Sequence, residues 1–404
     1  MSNPLPIDAM PPTHRIAFVS GLAFGGSTTF LCNLTGELTM RHVPVVVVSP
    51  ENENPFASDF ERKGVKVFLH DNRGMIFEDR MAAMLRTLAE FQPTIVVSCL
   101  GATSYEVLRY VPSNVHRMGI VQSDHTIFYD AIRPFAGFMD AAVGVSTPIA
   151  AQFAAMDEFH NVPKLCLLHG VAMPSTVVPR GLDGHPLRIL YFGRITHPQK
   201  RVRLFLDILE VLKKSGIPFK WTIAGEGEER NFLEANMKTD VPGQDVSFTG
   251  PIRYADVPAL LDRHDICLLA SDCEGFGLSV LEAMGHGLVP VVSDLPAGIP
   301  EMVDKTTGIL VSVDDVEGYA RAIIHLHEHR NELAAKSTAA HERVKTKFSL
   351  AAMADRWLAV LPKTIPTVEW PDKFKIQPPL KVPHPIYFSP PMRVLRRLAM
   401  KVRR

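Results

Sequence analysis

Short runs of β-branched and apolar residues alternate along this chain with longer stretches of helical periodicity, and the alternation happens twice. The first set comprises 15–20, 43–49, 94–98 and 142–145; the second comprises 187–192, 221–224, 246–249, 266–270 and 289–292. Strands buried on both faces read as continuous apolar runs, and a parallel neighbour needs a crossover of a dozen or more residues, usually a helix. The pattern therefore predicts two successive doubly wound α/β units with parallel sheets. A length of 404 residues agrees, because single cores stop growing beyond ~250–300 residues.

Between the two sets, residues 173–186 hold three prolines, two glycines and little apolar content, which predicts a linker. On this reading 1–13 is a flexible N-terminus, 14–172 the first domain and 187–346 the second. Helical patterns run over 316–344 and 350–361, and 347–361 is a C-terminal helix able to cross back to the first domain. Eight prolines follow Pro362 within the last 42 residues, too many for a third packed domain, so 362–404 is a proline-rich tail.

The 43 basic and 43 acidic residues cancel, which removes any global argument for a nucleic-acid partner. The tail departs from this average. From Lys363 onward ten basic residues face two acidic ones, a net of +8, which leaves −8 for the rest. Five cysteines (Cys32, Cys99, Cys166, Cys267 and Cys273) lack CxxC or metal-type spacing, predicting buried free thiols in a reducing compartment. With no signal-peptide pattern and no apolar run of ~18 residues, the expected location is cytoplasmic.

Three loops carry chemistry. Gly21 to Thr29, containing Gly25 and Gly26, joins the first strand to a helical stretch; its glycines suit either a tight turn or a phosphate or sugar at a helix N-terminus. Gly193 to Arg201 follows the strand 187–192, at the strand end where open α/β sheets bind ligands. There Arg194 offers a planar fork and Lys200 a point charge, a pair suited to a diphosphate. Solvated charge at a helix start is the alternative for Lys200 or Arg201 taken singly. The strongest signal is Glu274-Gly-Phe-Gly-Leu-Ser-Val-Leu-Glu282 after the strand 266–270. Gly275 and Gly277 permit close approach, the helix starting near Gly277 presents amides, and each carboxylate can accept from vicinal hydroxyls. The competing reading has Glu274 capping the helix and Glu282 solvated.

Gly193-Arg194 with Lys200, Ala224 to Gly227, Phe248-Thr249-Gly250, Glu274 to Glu282, Ala283-Met284-Gly285 and Ile299-Pro300-Glu301 occur in one order. Together they resemble the retaining glycosyltransferases of family 4, and the Gly25-Gly26 loop is similar to that family's N-terminal glycine loop. The resemblance covers roughly 14–361. It implies a GT-B fold, two Rossmann-like domains facing across a cleft. It further implies that Glu282 holds the donor's ribose hydroxyls and Glu274 those of the transferred sugar. The amides of Phe276, Gly277 and Leu278, with Gly225, would meet sugar and phosphates, and Arg194 with Lys200 the diphosphate. Two positions depart from the family pattern: Arg201 replaces the usual glycine, and His169-Gly170-Val171 stands where Asn-Gly-Val is common. A polar residue that points toward the transferred sugar corresponds to His125, with Asp124 as the alternative.

The expected activity is transfer of a hexose from a nucleoside diphosphate sugar to an acceptor hydroxyl of a glycan, glycolipid or small molecule. The resemblance implies attack on the leaving group's face, a donor phosphate oxygen taking the acceptor proton. No metal site and no cofactor beyond the donor substrate are expected, since the histidines show no HExxH-like spacing. Alternatives of the same fold are a nucleotide-sugar epimerase or hydrolase and a non-catalytic glycan-binding protein. A nicotinamide oxidoreductase would need GxGxxG, which 21–29 lacks. The last twelve residues place Val394, Leu395, Leu398 and Val402 on one helical arc and six cations opposite. Such a helix fits an anionic membrane surface, which would make the protein peripheral to the inner face; docking on the first domain, or disorder, are the alternatives.

Overall fold

The computed structural model of the chain describes residues 14–22, 25–51, 54, 56–70, 75–197, 199–296, 298–380 and 396. Residues 1–13, expected as a flexible N-terminus, lie outside this set. Two compact units are present. The first contains the described residues of 14–145, 149–167 and 354–396, and the second 146–148 and 168–353.

In the first unit, β1 (Ile16–Ser20), β2 (Val45–Ser49), β3 (Lys66–Leu69), β4 (Ile95–Cys99), β5 (His116–Val121), β6 (Ala141–Gly144) and β7 (Lys164–Cys166) form one parallel sheet in the order β3-β2-β1-β4-β5-β6-β7. In the second, β8 (Leu187–Phe192), β9 (Phe219–Ala224), β10 (Gln244–Gly250), β11 (Ile266–Leu269), β12 (Val289–Ser293) and β13 (Ile309–Val311) form another, ordered β10-β9-β8-β11-β12-β13. Every residue of β1, β2, β4, β11 and β12 is buried. Helices on both faces exclude water from these central strands, which is why they read as unbroken apolar runs. The edge strands β3, β7 and β13 are three or four residues long and partly exposed, so the apolar-run criterion does not detect them.

Four expectations change. The helical pattern over 316–344 is two helices, Val316–Glu328 and Arg330–Lys347, broken at His329, whose φ of −114° and ψ of 63° leave the helical region. No Pro or Gly marks that break. Residues 173–186 are held against the second unit: Arg180 donates from Nη1 to the Asp262 carbonyl at 2.7 Å and from Nη2 to the His286 carbonyl at 2.5 Å. Such bonds remove the freedom of a linker. Among the cysteines, Cys32, Cys99 and Cys267 are buried, but Cys166 is exposed and Cys273 half-buried, because Cys166 lies on an edge strand.

The fourth change concerns the tail. In the helix Leu350–Ala359, Trp357 packs on Phe18 and Phe30, with centroids 5.9 and 6.4 Å away. The chain then runs along the first unit. His14 Nε2 donates to the Pro362 carbonyl at 2.7 Å, Asn114 to that of Thr367 at 2.7 Å, and Arg109 to that of Pro378 at 3.0 Å. Trp370 is buried, and the Leu380 amide donates to Glu106 Oε2 at 3.3 Å. Residues 362–380 are therefore a strap. Arg396, one of the six cations of the presumed amphipathic helix, is buried and donates to both oxygens of Glu78, at 3.2 and 2.6 Å. The other residues of 381–404, including that helix's apolar arc, lie outside the described set.

A buried ion pair is costly to break from one side and much cheaper to remove whole. Glu78→Ala should lower stability in urea unfolding by about 3–5 kcal/mol, and adding Arg396→Met should restore most of the loss. Equal stability of wild type and Glu78→Ala would show that the tail contributes no such anchor.

Candidate functional site

Strand order in the second sheet reverses between β8 and β11, which pair in parallel with Ile189 opposite Ile266. The loops leaving these two strands, 193–203 and 270–277, thus emerge side by side at their carboxyl ends. In open α/β sheets that switch point is where ligands bind.

Two glycines shape the floor. Gly225 has φ +140°, and a Cβ there would sit 1.8 Å from the Gly193 carbonyl oxygen. The Gly193 amide donates to Ala224 O at 3.0 Å and that of Gly225 to Gly250 O at 2.9 Å, which stitches the loops after β8, β9 and β10. Gly225, expected at the donor, serves this contact. Gly277 caps the helix Leu278–Gly285 at φ +90°, a conformation that L side chains rarely adopt. The Val280 and Leu281 amides donate to the Gly277 carbonyl at 3.0 and 3.1 Å, and the positive end of the helix lies at the switch point.

Glu274 is buried and does not cap the helix, since Gly277 occupies the cap without a side-chain hydrogen bond. Its Oε1 accepts from Ser271 Oγ at 2.6 Å and from Lys200 Nζ at 2.5 Å. Oε2 has no hydrogen-bond partner among the described residues. Lys200 is thus no solvated charge; its side chain is 12% exposed. Arg194 is exposed and donates to Gln199 Oε1 at 2.7 Å, while Gln199 donates to the Cys273 carbonyl at 3.2 Å. Gln199 therefore couples the two loops.

Phe276 is buried, its ring 5.3 Å from that of His169 at 78° and 5.8 Å from Phe348. A Cβ on Gly298 would come within 2.4 Å of that ring. Enclosed in this way, Phe276 offers a ligand its backbone only. Leu278 is half-buried at the helix start. Arg201, at the family's usual glycine, takes φ +50°, and its guanidinium donates to Asp314, itself at φ +66°. A left-handed conformation costs ~1–2 kcal/mol for an L residue, which accounts for glycine at that place in the family.

Glu282 lies in the second turn of the same helix, half-buried, with no hydrogen bond or ion pair to its carboxylate among the described residues. Burial pushes its carboxyl up to about 7. A vicinal diol would supply the donors it lacks.

Gly25, Gly26 and His125 belong to the first unit. Gly25, at φ +143°, precedes the helix Gly26–Met40 and accepts the Thr28 and Thr29 amides through its carbonyl. His125 is exposed and caps the helix Thr126–Ile132, its Nδ1 accepting the Ile127 amide at 3.3 Å. Asp124 accepts the Tyr129 hydroxyl at 2.9 Å. Ser271, Gln199 and the ring contact of His169 were absent from the sequence expectations; only the i, i+3 spacing of Ser271 and Glu274 offered a signal. Among the described residues, no group of three or more His, Cys, Asp or Glu side chains could hold a metal ion, and no helix is long and apolar enough to cross a membrane.

Residues 186–329 match the family described as Glycosyl transferases group 1. WcaL of Salmonella typhimurium, named for colanic acid biosynthesis, is 31% identical over 194 residues, 45% of this chain and 46% of that protein. The phosphatidyl-myo-inositol mannosyltransferase of Mycolicibacterium smegmatis is 31% identical over 180 residues, 44% of this chain and 46% of the mannosyltransferase. The chain spans about half the length of the curated relatives it matches. In structure it resembles Anabaena Alr3699/HepE, solved in complex with UDP, with a TM-score of 0.68 at 16% identity over 85% of this chain and 98% of that one. The fold is GT-B.

The raised Glu282 carboxyl binds its proton more tightly in the folded domain than in the unfolded chain. Its contribution to stability is therefore greatest at low pH and falls as pH rises from the ordinary carboxyl range through about 7. Between pH 5 and 8 the wild type should lose stability relative to Glu282→Gln in urea unfolding. Parallel pH profiles for the two proteins would reject the assignment.

Proposed function

We propose that the chain is a retaining glycosyltransferase that moves a hexose from a nucleoside diphosphate sugar to an acceptor hydroxyl in glycan or polysaccharide biosynthesis. The observation that carries this reading is the pair of carboxylates around one helix N-terminus. Among the described residues Glu274 Oε2 and the Glu282 carboxyl have no hydrogen-bond partner, and the cations Arg194 and Lys200 are on the adjoining loop. Hydroxyl-bearing groups flanking a diphosphate match this order of acceptors and charge. The relatives named for glycosyl transfer, and the UDP bound by Alr3699/HepE, support the same chemistry.

In this reading the bond between the sugar's anomeric carbon and the diphosphate oxygen breaks as the acceptor oxygen bonds to that carbon on the same face. The acceptor proton passes to a phosphate oxygen of the donor. Negative charge grows on the diphosphate, where Arg194, Lys200 and the helix N-terminus at Gly277 stabilise it. Preorganised charge of this kind often supplies the largest share of a rate enhancement. No divalent cation takes part. Glu282 holds the ribose in ground state and transition state alike.

A thermal-shift panel of UDP, GDP and ADP sugars tests the donor class, since a ligand of the native state stabilises by RT ln(1 + [L]/Kd). With the donor found, Arg194→Ala should lower kcat about a hundredfold, equivalent to ~3 kcal/mol. Glu282→Ala should instead raise donor KM. Both patterns should persist in EDTA. Wild-type kinetics in Glu282→Ala, or complete and reversible loss of turnover on chelation, would reject this mechanism.

A further inference from the structure

Two groups given separate ligands in the proposed function satisfy each other here. Lys200, assigned to the diphosphate, donates to Glu274, assigned to the transferred sugar, at 2.5 Å. Both side chains are largely buried, at 12% and 9% exposure. The same carboxylate oxygen also accepts from Ser271 Oγ, which is fully buried at the end of β11. Glu274 is thus held twice through Oε1, while Oε2 has no partner among the described residues.

We propose that the donor diphosphate competes with Glu274 for Lys200, and that Ser271 is the positioning residue that keeps Glu274 in place when the ammonium turns to the phosphates. This inference rests on the proposed function, because it takes its two ligands from that reading. An ammonium has three donors, and a diphosphate carries more charge than a carboxylate, so the exchange runs toward the donor once it is bound. Losing the ammonium leaves a buried carboxylate with one protein donor. Ser271 then fixes Oε1, and Oε2 faces a sugar hydroxyl. The pair has a second consequence. Without a donor, Lys200 is neutralised, and an anion reaching the site must break an existing ion pair before it gains that charge.

The competition has a counterintuitive signature. Removing a charge assigned to sugar binding should strengthen the binding of a nucleotide that carries no sugar. Calorimetric titration with UDP, GDP and ADP, on the full chain, reads this directly. The nucleotide that binds wild type should bind Glu274→Gln several-fold to tenfold more tightly, because glutamine keeps the shape and frees the ammonium. Lys200→Met should weaken it. Ser271→Ala should leave nucleoside diphosphate affinity within about twofold of wild type and lower kcat for transfer, with Ser271→Thr recovering much of the loss. A residue needed only for folding would not divide the two readouts in this way. Equal or weaker nucleotide binding by Glu274→Gln, with wild type binding normally, overturns the competition and leaves the proposed function standing. Unchanged kcat in Ser271→Ala overturns the positioning role. If none of the three nucleotides binds wild type, the donor reading itself fails, and this inference with it.

Discussion

A single carboxylate oxygen, Glu274 Oε1, receives the Lys200 ammonium and the Ser271 hydroxyl, and through it the loops of two neighbouring central strands are joined. The contact is possible because β8 and β11 are adjacent at the reversal of strand order, so residues 74 apart in sequence leave the sheet side by side. The hydroxyl and the ammonium satisfy this oxygen and offset the cost of burying the carboxylate. Glu282, one turn into the following helix, receives no such donor among the described residues, and burial raises its carboxyl. Two carboxylates eight residues apart thus have different polar surroundings.

Around this contact, backbone rather than side chain sets the dimensions. Gly193 and Gly225 approach too closely for any Cβ on Gly225, and a Cβ on Gly298 would meet Phe276 Cδ2 at 2.4 Å. These approaches draw the loops after β8, β9 and β10 into one floor and leave the Phe276-Gly277-Leu278 segment able to offer amides. Arg201 departs from this economy. It accepts a left-handed backbone where glycine would be relaxed, and its ion pair with Asp314, also left-handed, ties the loop to the segment after β13.

The tail follows a different logic from the one its composition suggested. A surplus of eight positive charges and many prolines looks like an independent electrostatic arm. In the structure, carbonyls of 362–380 are used as acceptors by side chains of the first unit, and Trp370 and Arg396 are buried there. Proline has no amide to donate but keeps its carbonyl, so a proline-rich segment can be held in this way without forming a helix or strand. Composition counts charges; it does not reveal that Glu78 waits in a buried position for one of them.

Much of the fold was legible because burial on both faces leaves a direct trace in the sequence. Central strands such as Val45–Ser49 and Ile266–Leu269 are almost wholly apolar, and glycines mark the strand-to-helix turns at Gly25 and Gly277. The short edge strands β3, β7 and β13 left no comparable trace, and neither did the helix break at His329, which is made by backbone angles without Pro or Gly. Of the site, residue types and their order were readable: two glutamates about a helix start, and two cations after a neighbouring strand. Their partners were not, since Ser271, Gln199 and His169 act through distances that spacing does not encode. The sequence by itself determined two parallel α/β units and the chemical groups available at the second sheet's carboxyl edge, because periodicity and side-chain type are local properties. Only the tertiary structure decided that Lys200 and Glu274 neutralise each other, that Glu282 has no donor among the described residues, and that 362–380 is a strap. Each of those depends on which distant groups meet once water has been excluded.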